Sequence, residues 1–75
     1  MLATMKFFRD HYGFAVLDDG GEVYVGSYAI EGGVTLEAGD RVAVGDLIES
    51  PPGKLRAKTV KLVERREDWR RRKAS

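Results

Sequence analysis

A small, five-stranded, all-β barrel is the fold this sequence predicts, on three observations. Residues 1–63 carry no sustained apolar spacing at three and four. Short β-branched and aromatic runs recur instead between Gly, Asp and Pro punctuation. With 75 residues and no cysteine, the chain has room for one compact core and no disulfide or thiolate-zinc staple to support it.

The strands are expected over residues 2–9, 12–17, 22–25, 41–49 and 55–63. The first two are separated by a loop holding only Arg9-Asp10-His11. Asp18-Asp19-Gly20-Gly21 tolerates positive φ, so the second and third strands should form a hairpin. Residues 26–40 are long for a hairpin loop and suit a crossover. Ser50-Pro51-Pro52-Gly53 reads as the loop joining the last two strands. A meander of three strands and a hairpin of two, split by a crossover, close into an antiparallel Greek-key barrel of the OB type.

From Glu64 the character changes. Glu-Arg-Arg-Glu-Asp-Trp-Arg-Arg-Arg-Lys has helix formers and no strand alternation, so residues 1–63 read as the barrel and 64–75 as a short, helical, basic tail. Glu67 with Arg71, and Asp68 with Arg72, are acid-first i,i+4 pairs. A segment of about ten residues is only marginally helical alone, so fraying is expected unless Trp69 docks. The net charge of +1 conceals this division: residues 1–63 hold seven bases against nine acids, residues 64–75 six against three.

Composition narrows the function classes. No apolar run approaches the roughly 20 residues a membrane-spanning helix needs, and no basic-then-apolar leader pattern opens the chain. A cytoplasmic, monomeric protein is expected. The sole histidine, His11, has no ligand partners at metal spacing, and Asp18, Asp19 and Glu22 lack the pattern of a calcium loop. Neither Gly20-Gly21 nor Gly32-Gly33 leads into a phosphate-binding helix. No catalytic constellation, metal or cofactor is expected.

The chemistry concentrates in the aromatics. Tyr12 and Phe14 alternate across Gly13 and so share one strand face, which Tyr24 can join across the hairpin. Ala15, Leu17, Val23 and Val25 are the smaller residues suited to a barrel interior, which turns the rings outward. Phe7 and Phe8 are adjacent, so alternation sends one of them inward. Aromatic rings beside cations on a sheet form a platform for unpaired bases, with stacking contributing about 1–3 kcal/mol per base.

These residues resemble the bacterial cold-shock proteins and related cold-shock domains, over residues 2–63. Met5-Lys6-Phe7-Phe8 is similar to that family's Val-Lys-Trp-Phe strand, and Tyr12-Gly13-Phe14 to the Phe-Gly-Phe of its first ribonucleoprotein motif. Val23-Tyr24-Val25 resembles the start of its second motif, Val-Phe-Val-His-Phe. Ser27-Tyr28-Ala29-Ile30, Thr35-Leu36, Gly39-Asp40-Arg41-Val42 and Ala57-Lys58-Thr59-Val60 extend the similarity in order. The resemblance implies an OB barrel that binds single-stranded RNA or DNA as an RNA chaperone or a transcription or translation regulator, without catalysis.

Carried over by position, it implies Lys6, Phe7, Tyr12, Phe14 and Tyr24 as the binding surface, with Phe8 as a further candidate; Arg9, Arg56 and Lys58 are nearby cations, His11 is a loop residue near the ligand, and Tyr28, which has no counterpart in the family, is expected to compensate in part for missing contacts. Gly26-Ser27 stands where the family has His-Phe, the first loop is shorter, and residues 31–34 hold no aromatic. Lys54 and the tail residues Arg65, Arg66, Trp69, Arg70, Arg71, Arg72 and Lys73 add cations and one ring. The tail is expected to contact phosphates and make binding salt-dependent. The rival expectation is a barrel repurposed as a regulatory module, engaging a protein partner through that tail.

Overall fold

The computed structural model describes residues 1–49 and 53–74. Its strands are β1 (Leu2–Arg9), β2 (Tyr12–Leu17), β3 (Glu22–Gly26), β4 (Arg41–Glu49) and β5 (Leu55–Glu64), followed by one helix, α1 (Arg66–Ala74). The strands close into a barrel in the order β1-β2-β3-β5-β4, with β1 pairing back onto β4. Two short 3-10 turns, Ser27–Ala29 and Glu31–Gly33, begin the crossover from β3 to β4. The architecture is a small barrel of the OB type.

One junction departs from a wholly antiparallel barrel. β3 and β5 pair in parallel, while the other four junctions are antiparallel. A closed ring with an odd number of strands cannot alternate direction throughout, so one like-directed pair is unavoidable. The crossover delivers β4 and β5 so that this pair falls where the meander meets the last hairpin.

The turns follow their residues. Gly20 takes a φ of +102° in the β2–β3 hairpin, where its N–H donates to the Leu17 carbonyl at 2.8 Å. The β1–β2 loop is only two residues, since Arg9 pairs with Tyr12, and Asp10 carries a left-handed φ of 54°. Of the loop expected at Ser50-Pro51-Pro52-Gly53, only Gly53 lies within the described residues.

The interior is filled by small side chains. Ala3, Met5, Ala15, Leu17, Val23, Val25, Val42, Val44, Ala57 and Val60 are buried, capped by Ala29, Ile30 and Leu36 from the crossover. None of the core residues is aromatic. A β-bulge then decides the face of the rings on β1: Met5 pairs with Ala15 but Phe7 with Phe14, leaving Lys6 as the extra residue. Lys6 and Phe7 consequently both serve the outer surface, and Phe8 returns to pack against the core.

Asp40, at the end of the crossover, is the one buried charged side chain among the described residues, at 1% exposure. Its Oδ2 accepts from the Glu37 backbone N–H at 2.9 Å and from the Arg65 guanidinium at 2.7 Å. Its Oδ1 accepts from the Arg66 backbone N–H at 3.1 Å, at the first residue of α1. A residue from the barrel thus serves the orphan donor that a local cap usually satisfies. The Trp69 indole N–H donates to the Gly39 carbonyl at 2.7 Å, so the tail is docked at its first turn.

Across the barrel floor, the Arg41 guanidinium donates to both Asp18 oxygens, at 2.8 and 3.2 Å, and to Thr4 Oγ1 at 2.8 Å. These hydrogen bonds hold the Asp18 carboxyl below its ordinary value of 3.8, and Asp18 raises Arg41 in return.

Two outcomes are expected. Asp40→Ala should lower the unfolding free energy by about 1–2 kcal/mol and reduce helical ellipticity, because it removes a cap and leaves three part-buried donors without their acceptor; urea unfolding followed by circular dichroism checks both, and an unchanged midpoint would count against the anchor. The folded value of Asp18 lies below the unfolded one, so the stability it contributes is complete above about pH 3.8 and is lost as pH falls through the folded value. The stability difference between Asp18→Asn and the parent protein should therefore shrink in acid unfolding series below that pH.

Candidate nucleic-acid interface

β1, β2 and β3 carry Phe7, Phe14 and Tyr24 in cross-strand register, and Tyr24 is in register with Arg56 on β5. Tyr12 stands one row further along, opposite Gly26. The four rings form a closed cluster: Phe7–Tyr12 edge-on at 6.1 Å, Phe7–Phe14 tilted at 5.7 Å, Phe14–Tyr24 edge-on at 5.7 Å, and Tyr12–Tyr24 near-parallel at 6.0 Å. Edge contacts of this kind suit the ring quadrupoles and hold the cluster as a unit. Tyr12 is exposed, and Phe7, Phe14 and Tyr24 are half-buried against one another and the sheet.

Gly13, between the two β2 rings, is required by close approach. A Cβ there would strike the Phe7 carbonyl oxygen and the Phe8 Cα, both backbone atoms that cannot move aside. At Gly26 the obstacle is different. A Cβ there would meet the ring of Tyr28, which folds back over the glycine. Tyr28, 69% exposed, thereby brings a ring over the position whose side chain Gly26 lacks.

Tyr28 also lines an open groove of about 550 Å³ with Phe14, Glu22, Tyr24, Lys54 and Arg56. Its lining combines three aromatic rings with two cations and one carboxylate. Lys6, at the bulge, pairs with Glu22 at 3.0 Å, both side chains being 55% exposed. Such a pair contributes little in water, about 0–1 kcal/mol, and a phosphate can compete for the ammonium. Arg9, His11 and Lys58 are exposed, with His11 in the β1–β2 turn next to Tyr12, where its carbonyl accepts from the Ser27 N–H at 2.8 Å.

The structure therefore gathers Phe7, Tyr12, Phe14, Tyr24, Tyr28 and Arg56 on one surface, with Lys6 at its edge. Phe8 is placed elsewhere: it packs on the core and borders a separate cleft with Asp10, Ser27, Ile30 and Val34. Of the tail cations, Arg65 is engaged by Asp40 and by the Thr35 carbonyl at 2.8 Å, and Arg72 by Glu64 at 2.6 Å. Among the described residues no group of three His, Cys, Asp or Glu could hold a metal ion. Sequence reasoning missed Asp40 as the anchor of the tail; its side-chain partners Arg65 and Arg66 lie 25 and 26 residues away, so no local spacing marks it.

No family model matches the chain, and no curated protein sequence matches it.

If Tyr28 is seated on Gly26, Tyr28→Ala should shift the Gly26 α-proton resonances by removing the ring current. Unfolding free energy should change by no more than about 0.5 kcal/mol, as for other surface truncations. Unmoved Gly26 resonances in a proton–carbon correlation spectrum would show that the ring lies elsewhere.

Proposed function

We propose that this protein binds single-stranded nucleic acid, RNA in particular, by stacking unpaired bases on Phe7, Tyr12, Phe14 and Tyr24. The observation that carries the reading is a four-ring cluster held on the outside of a barrel whose interior is already filled by small aliphatics. Single strands are favoured because an unpaired base offers its π-face, which a duplex keeps covered. Tyr28 extends the platform over Gly26, while Lys6, Arg9, Arg56 and Lys58 supply attraction for the phosphates. The ordered resemblance to cold-shock domains, which implies binding of single-stranded RNA or DNA, supports the same reading.

The consequence of such binding is remodelling. A protein that holds unpaired strands shifts the pairing equilibrium by mass action, which opens weak RNA secondary structure without making or breaking a covalent bond. This suits an RNA chaperone or a regulator of transcription or translation.

Tyr12→Ala and Phe14→Ala should each weaken binding of an unstructured oligonucleotide by about 1–3 kcal/mol with little change in salt dependence. Anisotropy of a labelled oligonucleotide at several salt concentrations measures both. Unchanged affinity in folded variants would remove the platform and turn the search to a protein ligand.

A further inference from the structure

We infer that α1 is a second, pre-ordered phosphate-binding element, engaging the backbone of a single strand where it leaves the aromatic face; the inference rests on the function proposed above. A helix of nine residues would be marginal alone. Here its first turn is fastened by Asp40 and by Trp69 on Gly39, while Glu67 and Asp68 favour the positive end of the helix. Along its length α1 has only marginal backbone contact with the strands, and side chains hold it to the barrel, with Arg72 pairing with Glu64 of β5.

The anchoring divides the cations. Arg65 is occupied with Asp40, whereas Arg66, Arg70 and Arg71 are exposed; all four arginines border an open groove of about 780 Å³ that Glu37, Asp40 and Glu67 also line. The Arg66 stem lies across Gly39, where a Cβ would collide with it, so that side chain is guided along the groove. Arg66 and Arg70, four residues apart, share one side of the helix. Holding these guanidinium groups on an ordered helix lowers the entropy a ligand must remove, compared with a loose tail.

Position connects the helix to the rings. Trp69 and Arg72 border a cleft with Thr4 and Arg41 on β1 and β4. Thr4 lies two residues before Lys6, about 7 Å along the strand, and Lys6 adjoins Phe7 at the bulge. A strand passing from the ring cluster over Lys6 and Thr4 thus arrives at the Trp69 and Arg72 side of α1, and Arg71 and Arg70 lie round the helix from there. The chemistry of the helix favours phosphate over a protein surface, because its one aromatic side chain donates to the barrel and the outward positions offer charge without an apolar anchor.

The test uses oligouridylates of 4 and 12 nucleotides, bound by the full chain and by an Arg70→Ala/Arg71→Ala variant across a salt series. Four nucleotides fall at the lower end of OB-fold site sizes and occupy the rings alone, about 4–16 being the usual range. The variant should bind the shorter oligonucleotide unchanged and the longer one about tenfold more weakly. Its salt slope for the longer ligand should fall by about 1.4, two phosphate contacts at about 0.7 each. Arg70→Lys/Arg71→Lys should restore most of the slope. Equal weakening at both lengths, or none at either, would overturn the inference while leaving the platform intact. No binding of either length by the unaltered protein would overturn the platform and this inference with it.

Discussion

A buried carboxylate ties this molecule together. Asp40 ends the crossover, and its backbone is bonded to Met5 of β1, with Met5 N–H donating to the Asp40 carbonyl at 2.8 Å and Gly39 N–H to the Met5 carbonyl at 2.7 Å. Its side chain turns the other way, to the Glu37 N–H, the Arg65 guanidinium and the first N–H of α1. A charge excluded from water is costly unless partners satisfy it, and two of these three partners belong to the segment after the barrel. The same requirement that stabilises Asp40 therefore orders the tail.

The second constraint is volume. The barrel interior is filled by Val, Ala, Leu and Met, with Phe8 packed against it from outside, and further rings turned inward would overfill it and force strain. Aromatic side chains at outward positions then meet one another across β1, β2 and β3, and become half-buried by mutual contact. The bulge at Lys6 completes the set by presenting Phe7 and Lys6 together. Core packing and surface chemistry are two sides of one residue pattern.

Much of this was legible along the chain. Glycine and aspartate punctuation marked the hairpin between β2 and β3, and the small size of Ala15, Leu17, Val23 and Val25 marked the inner face. The long connection before Arg41 signalled the crossover. The seat of Tyr28 was legible in part: its place after Gly26-Ser27 marks a ring able to compensate for the missing side chains, while only the fold lays that ring over Gly26. The tail cations looked alike in sequence, yet Arg65 is turned to structural use and Arg70 and Arg71 are exposed.

By itself the sequence determined what is encoded by neighbours: where strands begin and end, which residues tolerate turns, and which alternate positions are apolar. Tertiary closure decided the rest. The parallel β3–β5 pair follows from an odd ring, the faces of Phe7 and Phe8 from a register slip against β2, and the fate of the tail from a carboxylate 25 residues upstream of Arg65. Each depends on groups distant in the chain, whose meeting is settled by the packing of the whole barrel and by the need to satisfy what it buries.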